Sequence, residues 1–307
     1  MNRYFKKYYF YFIARLFELL GRYDKSIAYY SKIIQIRTFF LDVQKRYSSA
    51  YQKSSKNFFL EIHGGLGDFL QFLPFALENK SENYIVVSYF PYAKIFFEYL
   101  NIRVKKFYYY SNREEYYHIK QKLKMNRNSY WSPRNIFFKS FPFQKNYKLL
   151  FKNSFVVGIH AGSSKLTNRP LTTEFLKKLI DSLLDLKVKI ILFGTKNEID
   201  KLSINSHKDI YLACDDNVIK NLTLVSECNI VLGSESVFKT MSSMLKITTI
   251  LLHENYKNNF RDRVFVNPYV KAGVMHVFKY RNLKGKEIDL ATKFSLDIVK
   301  AKLSMTA

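Results

Sequence analysis

The sequence predicts an α/β protein of two parallel-sheet lobes preceded by a helical hairpin. Three observations predict it. Short apolar runs alternate with helical-period segments from about residue 58 to residue 252. Several of those runs end in glycine-bearing turns that open the next helix. The first 55 residues instead carry apolar side chains at helical spacing. Strands alternating with helices of this length specify a parallel sheet covered on both faces.

The hairpin spans residues 1–55. Tyr4, Tyr8, Tyr11, Phe12, Arg15, Leu16, Leu19 and Leu20 form a stripe, Gly21 ends the first helix, and Asp24 can cap the second. The stretch from Ala14 to Tyr30 resembles one tetratricopeptide-type hairpin. A single copy needs something to pack on, either the first lobe or a membrane. Polar residues from Ser48 to Lys56 mark the boundary.

The first lobe, residues 56–150, starts with a strand from Phe58 to His63, a glycine turn and a helix through Glu78. Strands follow at Tyr84–Tyr89 and Val104–Tyr108 around a helix at Pro91–Leu100. Residues 111–150 read as partly helical connecting structure. The second lobe, residues 151–307, is more regular. Strands are expected at Phe155–His160, Val188–Phe193, Ile210–Ala213, Ile230–Leu232 and Thr248–Leu252. Helices are expected at Thr172–Leu186, Val218–Cys228, Ser236–Leu245 and Ile288–Leu303. Two such Rossmann-like lobes bind ligands at the carboxyl ends of their strands, in the cleft they face.

Composition narrows the function. The 307 residues carry 50 Lys and Arg against 25 Asp and Glu, a net charge of +25. Such a chain seeks polyanions: nucleic acid, anionic lipid or phosphate-bearing substrates. The 24 Tyr and 28 Phe suit a membrane interface as well as single-stranded nucleic acid, although an AT-rich genome encodes the same bias. Cys214 and Cys228 form no CxxC pair, which excludes a zinc ribbon and makes two thiols in a reducing compartment the default. No apolar run approaches the roughly 18 residues that span a bilayer. The basic start with its short aromatic run is a poor signal peptide, so a cytoplasmic location is expected.

Four loops carry chemistry. His63-Gly64-Gly65-Leu66-Gly67-Asp68 joins a strand to a helix. Its glycines allow close backbone approach, and Asp68 is either a helix cap or a general base aimed into the interlobe cleft. His160-Ala161-Gly162-Ser163-Ser164-Lys165, leading to Arg169, offers small residues, hydroxyls and cations to a diphosphate, or is a solvated basic loop. His160 itself reads as a packed strand-end residue. Gly194-Thr195-Lys196 can seat a base or ribose, or make a plain turn. Gly233-Ser234-Glu235-Ser236 opens a helix bearing Lys239; Glu235 and Ser236 are caps or grips for ribose and phosphate.

The order of these pieces resembles the ADP-heptose–lipopolysaccharide heptosyltransferases, family 9 of the glycosyltransferases. Gly65-Leu66-Gly67-Asp68 and Leu73-Pro74 match its opening motif. His160-Ala161-Gly162-Ser163-Ser164 with Arg169 matches its second-lobe opening, Gly194 with Glu198 its next strand end, and Glu235-Ser236 its later helix start. Pro170, Val237 and Thr240 depart from its pattern. The resemblance implies a GT-B fold, with donor on the second lobe and acceptor on the first. It implies inversion without metal or cofactor, Asp68 as base, Arg169 at the donor phosphate or sugar, and Glu235 and Ser236 on the nucleotide. A nucleotide-sugar, ADP-heptose among the candidates, is then the donor, and a cell-surface glycan or lipopolysaccharide the acceptor. The basic aromatic hairpin suits the anionic inner face of a bacterial inner membrane. The rivals are a non-catalytic GT-B-like assembly protein and a basic nucleic-acid-binding protein, the latter without a recognisable module.

Overall fold

The computed structural model describes residues 3–35, 43, 46, 47, 50, 58–62, 65–71, 73–78, 84–123, 137–139, 141–143, 150–160, 162, 171–204, 207–214, 217–254 and 266–306. The chain divides into two compact units, Met1–Arg134 and Asn135–Ala307.

The first unit opens with α1 (Arg3–Leu19) and α2 (Tyr23–Gln35). Ala14, Ile27, Tyr30 and Ile33 are buried. The Tyr30 hydroxyl donates to Glu18 Oε2 at 2.6 Å, and Arg15 Nη1 donates to the same oxygen at 2.8 Å. Burial and that carboxylate push the Tyr30 phenol well above its ordinary range. Tyr8, Phe12, Leu16, Leu19 and Leu20, one face at helical spacing, stay exposed, Phe12 at 67% and Leu19 at 76%. Among the described residues, no helix is long and apolar enough to cross a membrane.

There follow β1 (Phe58–Ile62), α3 (Leu66–Leu70), α4 (Leu73–Glu78), β2 (Tyr84–Ser88), α5 (Ala93–Tyr99), β3 (Val104–Tyr109) and α6 (Arg113–Lys122). The three strands are parallel in the order β1-β2-β3. The central strand β2 is buried throughout, which explains its unbroken apolar run. Phe69 of α3 meets Phe96 and Phe97 of α5 edge-on, at 5.3 and 5.6 Å between ring centres. The single helix expected through Glu78 is instead two, α3 and α4. Pro74 lacks an N–H and its ring would strike the carbonyl four residues back, so it sits in the first turn of a new helix.

The second unit comprises β4 (Val156–His160), α7 (Thr173–Asp185), β5 (Lys189–Phe193), α8 (Lys196–Asp200), β6 (Ile210–Ala213), α9 (Val218–Leu224), β7 (Ile230–Gly233), α10 (Val237–Met244), β8 (Thr248–Glu254), α11 (Asn267–Lys271), β9 (Met275–Tyr280) and α12 (Lys286–Ser304). A 3-10 turn, Val225–Glu227, extends α9. Residues 137–139 also belong here: the Phe138 amide donates to Met244 O at 2.9 Å. Six parallel strands run in the order β6-β5-β4-β7-β8-β9. Counting the unit's own strands from its first, that order is 3-2-1-4-5-6, a doubly wound Rossmann sheet.

Alternation along the strands sorts the residues onto two faces. Val157, Ile159, Ile190, Leu192, Ile230, Leu232, Ile250 and Leu252 join the apolar stripes of α7 and α12 in one core. Gly158, His160, Phe193, Val231 and Gly233 share the other face with Cys228 and Phe238. That second face is tight at Gly158. A Cβ there would lie 2.7 Å from Cys228 Sγ and 2.8 Å from a Phe193 ring carbon. Gly158→Ala is therefore expected to cost about 1–3 kcal/mol by overpacking. Urea unfolding should register that loss, and Cys228→Ala in the same chain should restore some of it. An unshifted midpoint in the single variant would show that this face has room to spare.

Candidate functional site

The second sheet has one place where its strand order reverses, between β4 and β7. Chain leaving β4 winds outward to β5 and β6, then returns to lay β7 on the other side of β4. Loops leaving the carboxyl ends of two such strands diverge, which leaves a crevice for a ligand. Here Gly162 follows β4, and Ser234-Glu235-Ser236 follow β7.

Residue types at the crevice follow from the close pass of the two strands. His160 is registered against Gly233 on one side and Phe193 on the other. A Cβ on Gly233 would lie 3.0 Å from His160 Cβ, so a larger residue would force the strands apart. Just beyond, the buried Ser234 hydroxyl donates to Gly162 O at 3.0 Å and ties the two loops together. Ser236 is the N-cap of α10, its Oγ accepting from the Lys239 amide at 3.2 Å. Glu235 and Lys239 are both buried. His253, at the end of β8, brings its Nε2 to 3.6 Å from Glu235 Oε1, while its Nδ1 lies 2.8 Å from Glu254 O. One strand end thus collects a carboxylate, a hydroxyl, a helix N-terminus and an imidazole.

The neighbouring strand β5 ends in Gly194-Thr195-Lys196. Thr195 and Glu198 form a reciprocal capping box. The Glu198 carboxylate accepts from the Thr195 amide and hydroxyl at 2.7 and 2.9 Å, and Thr195 Oγ1 accepts from the Glu198 amide at 3.3 Å. The same carboxylate lies against Gly162, filling the space a side chain there would need. Lys196 is exposed in the first turn of α8. Gly162, Gly194, Thr195, Glu235 and Ser236 therefore lie along one sheet edge. Ser163, Ser164, Lys165 and Arg169 lie outside the described residues.

In the first unit, Gly65 is the N-cap of α3, and Gly67 and Asp68 stand in its first turn. The Asp68 carboxylate accepts from the Gly65 amide at 3.2 Å. It caps a helix, and it is half-buried rather than enclosed. His63 and Gly64 lie outside the described residues.

Two residues of the edge, Ser234 and Glu198, stand in the sequence motifs without an assigned contact, and a third, His253, stands outside them. Ser234 sits between two more obvious motif members. Glu198 is visible as the fourth residue of a Thr-x-x-Glu pattern. His253 follows directly on a strand expected to stop at Leu252, and the strand runs on through Glu254.

Parallel sheets in both units and the doubly wound order of the second define a GT-B-type fold of two Rossmann-like units in tandem. The chain is similar in structure to E. coli ADP-heptose LPS heptosyltransferase II, with a TM-score of 0.50 and 11% identity over 81% of this chain and 99% of that one. It is equally similar to E. coli heptosyltransferase WaaC with ADP, at a TM-score of 0.50 and 10% identity, with the same 81% and 99% coverage. No protein-family model matches the sequence, and no curated protein matches it.

His160 is a packed strand-end residue. Its ring lies 5.0 Å from that of Phe238, which stacks on Phe193 at 4.6 Å. Burial lowers its pKa to about 4, against a weaker upward pull from Glu198. The unfolded chain binds a proton here near pH 6.5 and the folded chain does not until about pH 4. This contribution to stability is complete above pH 6.5 and disappears as pH falls toward 4, at most about 3 kcal/mol. His276, lowered by burial too, acts in the same direction. Urea unfolding across that pH range should therefore show a shallower slope in His160→Gln than in the native chain. Equal slopes would place the titration elsewhere.

Proposed function

We propose that the protein is an inverting glycosyltransferase that moves a sugar from a nucleotide-sugar, ADP-heptose among the candidates, to a cell-surface glycan or lipopolysaccharide acceptor. The observation that carries this reading is the assembly at the switch point of the second sheet. Gly162, Ser234, Glu235 and Ser236 converge where doubly wound sheets take nucleotides. Gly162 lets a backbone approach phosphate, Glu235 suits ribose hydroxyls, and Ser236 with the start of α10 suits an anion. Gly194, Thr195 and Lys196 on the adjacent strand extend the same edge toward a base. The two solved structures described above are named as heptosyltransferases, one of them with ADP, which supports the same substrate class.

The chemistry then runs without a metal. The acceptor hydroxyl oxygen bonds to the anomeric carbon from the face opposite the diphosphate. The carbon–oxygen bond to phosphate breaks, and its electron pair leaves with the nucleoside diphosphate. Lys165, Arg169 and Lys239 supply the positive charge that stabilises this leaving group. The acceptor proton passes to the Asp68 carboxylate, a step that contributes about 10²–10⁴-fold in rate. Gly65 and Gly67 stand in the turn that holds it, and His63 and Gly64 precede them in the sequence. The capping bond from the Gly65 amide to Asp68 favours a second reading, a binding or assembly protein without catalysis.

The chain also docks on the inner face of a bacterial inner membrane in this reading. Tyr8, Phe12, Leu16, Leu19 and Leu20 form an exposed apolar face on α1, with Arg22 and Lys25 exposed nearby. A helix of this kind lies in the membrane interface, and each cation near an anionic leaflet adds about 1 kcal/mol.

Two experiments test these assignments. A thermal-shift titration with ADP, UDP, GDP and CMP should find one nucleotide that raises the midpoint. Glu235→Gln and Arg169→Ala should each weaken that response by about tenfold in affinity. Asp68→Asn should keep the nucleotide response and lose transfer. No response to any nucleotide removes the donor site, and full transfer by Asp68→Asn removes the base. Separately, the full chain should float with phosphatidylglycerol-containing vesicles and not with pure phosphatidylcholine. Serine at positions 12, 16 and 19 together should abolish flotation; undiminished flotation would exclude this face.

A further inference from the structure

The carboxyl edge of the first sheet holds a run of tyrosines that the donor site does not use. Tyr89 and Tyr110 are the residues immediately beyond β2 and β3. The Tyr89 amide donates to Ile62 O at 2.9 Å and the Tyr110 amide to Ser88 O at 3.1 Å, which carries the parallel ladder one step past the strands. Tyr110 Oη also reaches Ile62 O, at 3.4 Å. Ile62 ends β1, so these rings stand on the edge that carries the glycine turn and Asp68. From there the rings continue in contact: Tyr89 to Tyr110 at 5.7 Å, Tyr110 to Tyr116 at 5.1 Å, and Tyr116 to Tyr117 at 5.4 Å.

The run is fixed at its centre and open at its ends. Tyr110 is buried and Tyr116 half-buried. Tyr116 Oη donates to the buried Glu61 carboxylate at 2.8 Å, and Lys120 Nζ lies 3.0 Å from that hydroxyl and 3.7 Å from Glu61. This group pins α6 to β1, and burial beside Glu61 keeps both phenols protonated far above neutral pH. Tyr89 and Tyr117, by contrast, are 39% and 48% exposed. A cluster serving only as core would bury its end rings, since each aromatic face is worth most when removed from water. Arg113 donates to the Tyr117 hydroxyl at 3.2 Å and lies 5.5 Å from its ring. Residues 103–122 hold six Lys and Arg against two Glu, so the surroundings favour an anion.

We propose that this edge is a carbohydrate-binding platform on which Tyr89 and Tyr117 stack sugar rings of a phosphorylated glycan. The proposal rests on the glycosyltransferase reading for its role, because it assigns the acceptor. A pyranose offers an apolar C–H face rimmed by hydroxyls. Two separate exposed rings, each edged by phenol, backbone carbonyl or guanidinium, match that pattern. A run of stacked bases would need successive open faces, and here one buried and one half-buried ring interrupt them.

The probe is the phosphorylated core oligosaccharide released from bacterial lipopolysaccharide by mild acid, titrated calorimetrically into the full-length chain. Binding should fall about tenfold for Tyr89→Ala and again for Tyr117→Ala, the low end of what one ring contributes where aromatic side chains stack nucleobases. Tyr89→Phe and Tyr117→Phe, which keep the rings, should bind as the native chain does. Phosphatase treatment of the probe should weaken binding, and none of the four variants should alter the nucleotide thermal shift. Native affinity in the double alanine variant, or no binding by the native chain, overturns the platform whatever the nucleotide result. Displacement of the glycan by oligothymidylate at lower concentration would make the edge a nucleic-acid surface and overturn it equally. Tyrosine-dependent glycan binding without any nucleotide response would keep the platform and sink the donor site.

Discussion

Much of the second unit depends on how closely β4 passes β7. Gly233 has no side chain because His160 fills the space, with Cβ atoms that would otherwise sit 3.0 Å apart. Gly158, on the same face of β4, meets the same constraint against Cys228 and Phe193. These two absences let both strands lie flat in one ladder while Phe238 of α10 closes over them. The loops that follow are consequently held at one level, near enough for Ser234 to bond Gly162 O. A crevice at a topological reversal is a general property of such sheets. Its chemistry in this chain comes from what the following turn adds: Glu235, the Ser236 cap and the buried Lys239.

The same burial that organises the crevice divides its titratable groups. His160, between Phe193 and Phe238, is kept neutral and acts as a packing residue. His253 lies two strands over, on β8, its Nε2 3.6 Å from a carboxylate. Two histidines on one face of one sheet thus have different surroundings, one set by aromatic rings and the other by Glu235. Position in the sheet, rather than residue type, decides what each of them faces.

The fold is largely legible in the sequence because buried parallel strands write continuous apolar runs. Val157 to Ile159, Ile190 to Phe193 and Ile230 to Leu232 stand out on that basis and form the middle of the sheet. β9 does not stand out. At the sheet's edge Met275 and Tyr280 are buried, but the polar His276 and Lys279 stand between them and interrupt the run. α8 and α11 are five residues each, too short to show a helical period. At the site, glycine turns after strands mark Gly162, Gly194 and Glu235 correctly as strand-end residues. The use of each side chain is what stays open at the level of sequence. Thr195, Ser236 and Asp68 each fit a cap or a ligand contact, and all three are engaged as caps. Capping and ligand binding draw on the same chemistry, an oxygen beside free amide donors, so spacing alone does not separate them.

Composition is the least specific signal, and the structure gives the reason. Basic and aromatic residues count as one feature in a composition, yet they do several jobs. In the hairpin, Lys32 lies 4.5 Å from the Tyr29 ring centre and Lys25 lies 5.4 Å from that of Phe17, so some of the bias goes into cation–π contacts within the fold. Tyr30 is engaged by Glu18, and Tyr116 by Glu61 and Lys120. Among the described residues of the first unit several aromatic side chains are exposed, and two of the surfaces they form are the outer face of α1 and the Tyr89–Tyr117 edge. They differ in kind. The α1 face is continuous and mostly aliphatic or phenyl at its outer end, which suits hydrocarbon. The sheet edge presents separated phenols beside cations, which suits a polar ligand with flat apolar patches. A single net charge and a single aromatic fraction cannot distinguish these surfaces. The pattern of what each ring already touches does.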